Sequence, residues 1–426
     1  MSKRSTNLLS LTLFLLLGWA TAGQSAKADE SAEKAFRAGA FAIDITPEEY
    51  PVLVNGGMYS RTADSIVDRL HARCLVLDDG TNRIAIVVVD SCMVPRELLD
   101  EAKAIAAKAT EIPPSHMLIS ATHTHSAPAA MGCLGTDRDE RYAKFLPGRI
   151  ARGIALAEQN LEPARIGWGS GRDPENVYCR RYLMKEGTAR TNPFSGKTND
   201  RAQMNPGHNN PNAIGRTGVV DDEVFVLSVQ AKDGRPIALL ANYSTHYAGA
   251  PALSADYFGV FAQNMAKHLK AENAKPAFVG IMSNGTSGDA NCYDFSRGDK
   301  RKFDRFTVAE DTAKVAFEAY QNIQYYNWAP IETAEGLLEL DVRMPTDDEV
   351  AKATEFLRTD EGRKLRSVPA VYARETVILS ELPATRELKL QAIRIGPLGI
   401  TAIPNEVYGS TGPAQKKDSP MKPTFN

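Results

Sequence analysis

Residues 84–90 read IAIVVVD, an almost unbroken β-branched run that stops on an aspartate. Such a run lacks the apolar–polar alternation of a half-buried strand and predicts one covered on both faces. Pro95 is placed to start the helix that follows, with Leu98, Ala102, Ile105 and Ala109 along one side. Outward from there the pattern repeats. Residues 117–122 predict a strand, and 141–158 a helix that Pro147 would kink. Residues 224–229 and 236–243 predict a hairpin turning at Lys232-Asp233-Gly234. A helix over 257–269, a strand over 277–283 and a helix over 306–320 come next, then late strands over 375–382, 388–395 and 398–403. Alternating strands and helices predict an α/β fold. Residues 185–220 break the pattern: rich in Asn, Pro and Gly, they are expected to form a rim or lid loop over a site, or else a disordered insertion.

The N-terminus reads as an export signal over residues 1–22. Lys3 and Arg4 precede an apolar run from Leu8 to Leu17, and Ala20-Thr21-Ala22 offers a small-x-small cleavage site. The run is shorter than the roughly 20 apolar residues a spanning helix needs. A secreted or periplasmic chain without a transmembrane span is therefore expected once the signal is removed. The 50 basic and 52 acidic side chains give a net charge of −2, which argues against a nucleic-acid partner. The five cysteines form no CxxC pair and are odd in number, so neither a cysteine zinc site nor a disulfide framework is implied, and buried packing is their expected role.

Polar motifs follow four of the strand candidates: His123-Thr124-His125, His246, the loop from Asn284 to Asn291, and Glu406. Sites in α/β sheets gather beyond the carboxyl ends of strands. Two histidines and a carboxylate so placed suit a catalytic zinc ion, which takes three protein ligands and keeps one position open. His123 and His125 can both ligate, or one ligates while the other stands beside the metal or contacts substrate. Asp289 or Asp90 is a candidate to orient a ligating imidazole. Ser287 is no serine-hydrolase nucleophile, because GTSGD is not a GxSxG elbow.

The segment ISATHTHSAPAA, residues 119–130, resembles the HTHSGPGG-type motif of the neutral/alkaline non-lysosomal ceramidases. RAGAFAIDITP, RLHARCLVLDDG, NVYCRRY, LLANYSTHYAG, SNGTSGDAN and AIPNEVYGSTG resemble further segments of that family in the same order, over residues 36–415. The resemblance implies a mixed-sheet α/β catalytic domain over that range, without the family's C-terminal immunoglobulin-like domain, and a truncated tail at 416–426. It implies a Zn2+ site of His123, His246 and Glu406. Around it, the resemblance places His125 near the metal and Arg180, with Arg181 as the competing choice, on the substrate; Asp289 matches the aspartate of the family's GDVSP. Asn291 stands where the family has the serine often assigned as nucleophile, and the family's tyrosine zinc ligand lies in a segment beyond those present. The implied activity is hydrolysis of a linear amide in a ceramide-like lipid, with transient contact to a membrane surface. The alternatives are a divergent amide or ester substrate, or a secreted binding or scaffold protein that keeps the fold without turnover.

Overall fold

The computed structural model describes residues 35–426 except Arg297, Asp299 and Lys300. The expected signal at 1–22 lies outside the described residues. No helix among the described residues is long and apolar enough to cross a membrane.

The main sheet runs, edge to edge, Val279–Asn284, Pro236–Tyr243, Glu223–Ala231, Glu162–Arg172, Arg37–Asp44, His71–Asp78, Arg83–Val89 and Met117–Ala121. Gln324–Tyr326 adds a ninth strand beside Glu162–Arg172. Both outermost pairs are parallel and the inner ones antiparallel, so the sheet is mixed. Each parallel pair is joined by a helical crossover, Arg96–Ala109 at one edge and Asp256–His268 at the other, because parallel neighbours cannot be linked by a tight turn.

The sheet folds over on itself, and the period-2 alternation of its strands shows how. Leu75, Leu77, Ile84, Ile86 and Val88 from one half meet Phe225, Leu227, Val229, Leu240 and Ile281 from the other in a shared inner core. Their neighbours point outward. Cys74, Val76, Ala85, Val87 and Val89 pack under Arg96–Ala109 and Glu140–Gln159. Val224, Val226, Leu239, Ala241 and Met282 pack under Asp256–His268 and Arg305–Gln321. The result is four layers, helix–sheet–sheet–helix, which is why the run at 84–89 is apolar at every position. A second sheet of Ile331–Asp341, Thr385–Ile395, Leu398–Ala402 and Thr424–Phe425 sends Ile393, Ile395, Leu398, Ile400 and Phe425 into the same inner core.

One sequence expectation changes, and two segments gain detail. The strand expected over 375–382 is instead the end of a helix, Val368–Ser380. Ser367 caps that helix by accepting a hydrogen bond from the Ala370 amide and a proline lies in its first turn, so capping and packing against Asp347–Arg358 override the β-branched Thr-Val-Ile run. The segment 185–220 carries short strands, Ala202–Met204 and Ala213–Arg216, on either side of Arg181–Met184. Its Phe194 meets Tyr372 edge-on with ring centroids 4.9 Å apart. Residues 416–426 are part of the folded body: Phe425 is buried against Phe225 and Asn242 donates to the Asn426 carbonyl at 2.6 Å.

Candidate metal centre

The strand Arg83–Val89 and its parallel neighbour Met117–Ala121 end side by side, with Val89 opposite Ala121. The two exits stay joined, since Thr122 N donates to Val89 O and His123 N to Ser91 O, each at 2.9 Å. At the opposite edge, Pro236–Tyr243 and Val279–Asn284 also end together, and lead into His246 and the Ser287 loop. Folding the sheet over brings these two ends to one place. Glu406 reaches it from beyond Leu398–Ala402, directly after Asn405, whose φ is 76°. His123 itself has φ 69°. Left-handed backbone at non-glycine residues persists where surroundings over-determine it, and such strain gathers at functional sites.

Donor atoms of His123, His246 and Glu406 all lie within 4.8 Å of one another. The His123 Nδ1 hydrogen-bonds the Cys92 carbonyl at 2.7 Å and the His246 Nδ1 the Ser287 carbonyl at 3.1 Å. With both Nδ1 atoms engaged by main chain, each ring is fixed and presents Nε2. His125 adds a third ring, its Nε2 3.1 Å from His123 Nε2. Gly56, at φ 91°, lies along the Nδ1 edge of His125, where a β-carbon would stand 2.6 Å from the ring Cγ. On its other side the His125 ring stacks on Tyr247, 3.8 Å between centroids.

The electrostatics follow from burial and neighbours. Burial, with the charges of Arg180 and His123, pushes His246 well below the usual imidazole range. Burial, with His123, Arg180 and Arg61, takes His125 down to about 2. Both are neutral lone-pair donors at ordinary pH. For His123, burial disfavours the charged ring, but contacts with Cys92 and Glu406 outweigh it and raise it to about 10. The Glu406 carboxyl is held below its ordinary range by its contact with His123, Oε2 to Nε2 being 3.5 Å. A half-exposed carboxylate thus faces a buried imidazole held protonated, and a divalent cation among these donors would take over that balance. Two imidazole nitrogens and one carboxylate oxygen are the donor set of a catalytic zinc site, so the residues fit the ion.

The remaining candidates divide. Arg180 faces the centre, with Nη2 3.9 Å from Glu406 Oε2 and 2.9 Å from the Gly288 carbonyl, while its Nε is buried without a partner. Arg181 points away, over Tyr408 at 4.8 Å, as adjacent residues of an extended chain must. Asp289 and Asp90 do not orient the rings; main-chain carbonyls do. Asp289 Oδ1 accepts from Gly409 N at 2.8 Å and so ties down the loop that carries Glu406. Asp90 is paired with Arg73 at 2.6 Å, both side chains buried. Asn291 turns its Oδ1 back to accept from Tyr293 N at 2.9 Å, a local turn contact rather than one to the histidines. Sequence reasoning passed over Gly56, Cys92 and Tyr247. Cys92 carried one usable signal, its place just past a strand end parallel to the one before His123.

Over residues 36–294 the chain matches the family model of neutral/alkaline non-lysosomal ceramidase, N-terminal. Its fold is similar to the crystal structure of neutral ceramidase from Pseudomonas aeruginosa, at 17% identity and a TM-score of 0.65, covering 92% of this chain and 67% of that one. It is similar also to a structure of a ceramidase complexed with C2, at 16% identity and a TM-score of 0.65, covering 92% and 68%. At these identities the structural likeness speaks for the fold, while the family match spans more than half of the sequence. This chain is a member of the neutral/alkaline non-lysosomal ceramidase family.

Proposed function

We propose that this protein is an exported, zinc-dependent hydrolase that cleaves the amide bond of an N-acyl lipid of the ceramide type. The observation that carries it is the convergence of His123, His246 and Glu406 within 4.8 Å, both imidazoles being oriented by main-chain carbonyls. Family membership supports hydrolysis and a lipid amide substrate.

A bound zinc ion would supply acidified water and Lewis-acid polarisation of the scissile carbonyl. His123 and His246 hold it through Nε2 and Glu406 through a carboxylate oxygen. His125, neutral and with Nε2 turned to the same point, accepts a hydrogen bond from the attacking water and so orients it. Arg180 keeps a buried N–H without an acceptor and donates to the carbonyl oxygen as charge develops there. Asn291 takes no part in this scheme, which needs no serine nucleophile.

The test is the zinc content of purified protein beside His123→Ala and His246→Ala, with hydrolysis of an N-acylsphingosine measured on the same samples. One zinc per chain, lost together with turnover in both variants, is the expected result. A folded wild type that binds no zinc, or that turns over unchanged without it, overturns the proposal.

A further inference from the structure

Alternation along Arg181–Met184 gives this short strand two faces. Tyr182 and Met184 turn inward and pack with Ala189 and Phe295. Arg181 and Leu183 turn outward, opposite Met204 and Ala202 of one neighbouring strand. On the other side, a register shift between Ala213 and Gly215 leaves Ile214 out of the pairing and 57% exposed. This outward face runs on to the metal centre. The Arg181 guanidinium covers the ring of Tyr408, two residues past Glu406. Val219, 59% exposed, lies against Gly409, where a β-carbon would stand 2.7 Å from the Val219 carbonyl oxygen. Leu183 and Tyr408 are exposed as well. The same stretch is basic: residues 180–217 hold seven Lys and Arg against two acidic side chains, in a chain whose 50 basic and 52 acidic groups nearly balance. Arg180 turns to Glu406 and Arg216 pairs with Asp294. The other five, Arg181, Lys185, Arg190, Lys197 and Arg201, meet no carboxylate within ion-pair distance among the described residues.

We propose that the outward face of this three-stranded sheet docks on an anionic lipid bilayer and so sets the metal centre at the surface that holds its substrate. The proposal rests on the lipid-substrate reading given above. Exposed aliphatic side chains among unpaired cations match a bilayer interface with negative head groups. The apolar tips enter the acyl boundary while Lys and Arg stems reach back to the phosphates. A nucleic acid would meet the charges but not Leu183, Ile214 and Val219, which offer its bases no ring to stack on.

Sedimentation of the full chain with vesicles that carry no substrate reads docking apart from turnover. The probes are phosphatidylcholine vesicles, and the same vesicles with roughly a third phosphatidylglycerol. The wild type is expected to bind the mixed vesicles, to bind phosphatidylcholine alone about tenfold less, and to let go as salt rises. Lys185→Gln with Arg201→Gln should lower binding about 25-fold, about fivefold per charge. Leu183→Ser with Ile214→Ser should lower it about tenfold. Both pairs should keep the wild-type circular dichroism and turnover of a short-chain, water-soluble N-acyl amide. Equal binding to the two vesicle types, or none, overturns the docking, and turnover of the soluble amide in that case leaves the hydrolase standing. Docking without any such turnover overturns the hydrolase and leaves the docking. Self-association of the wild type without vesicle binding, lost in Leu183→Ser with Ile214→Ser, gives the face to a second copy and also overturns the proposal. The wild-type comparison of the two vesicle types is decisive by itself, so the outcome does not depend on how well a variant folds.

Discussion

The ring of Tyr247 lies on that of His125, with centroids 3.8 Å apart and planes 21° from parallel. Gly56 closes the opposite edge, so His125 is clamped without itself being covalently or ionically tied. Aromatic stacking is worth about 1 kcal/mol beyond burial. Tyr247→Leu is expected to lower kcat about fivefold with zinc content unchanged, and Tyr247→Phe to restore it. Steady-state kinetics with metal analysis on both variants checks this.

Asp289 acts on the metal at one remove, through its 2.8 Å contact with the amide of Gly409. Asp289→Ala frees the loop bearing Glu406 while leaving both ligating histidines in place. Loss of such a supporting contact typically costs 10- to 100-fold in metal affinity. Competition against a fluorescent zinc chelator measures it, and an affinity within twofold of wild type would show that the loop needs no tether.

Gly288 passes so close to the same loop that a β-carbon would stand 2.2 Å from the Glu406 carbonyl oxygen. Gly288→Ala must push Glu406 away from the histidines. We expect destabilisation of about 1–3 kcal/mol by denaturant titration, accompanied by loss of bound zinc. Stability falling with zinc retained would place the accommodation elsewhere.

Away from the centre, Asp78 is buried between Arg37 and Arg83, with contacts of 2.6 and 2.9 Å. Burial alone would raise its carboxyl, but hydrogen bonds from Arg37, the Gly80 amide and Arg83 outweigh it and hold the group below its ordinary 3.8. A depressed carboxylate contributes stability that is fully present above its unfolded value and lost as pH falls through the folded one. Asp78→Asn should therefore cost about 1–2 kcal/mol at pH 7 and progressively less below pH 3.8. Urea titrations of both proteins at the two pH values test the sign.

Much of this centre is legible in the sequence because its ligands sit just past strand ends. A β-branched run followed by a polar pair gives both the strand and the place where His123 emerges, and the same holds for His246. What orients those rings is not legible. The acceptors are the carbonyls of Cys92 and Ser287, which every residue type possesses, so an aspartate was the natural expectation. The choice of Arg180 over Arg181 likewise depended on which face of a short strand meets Glu406. The helix at Val368–Ser380 was hidden for the converse reason: its strand-like residues are overruled by a cap and a neighbouring helix.

The three proposed ligands leave from the two halves of the folded sheet and from the small sheet that closes them. No partial fold of the chain can hold them together, since His123, His246 and Glu406 are each more than a hundred residues from the next. Contacts of such sequence separation are slow to form and come after the entropy of closing long loops has been met. The hydrolytic centre would thus be the last thing a nascent chain acquires. Recovery of turnover during refolding would then lag behind the return of secondary structure.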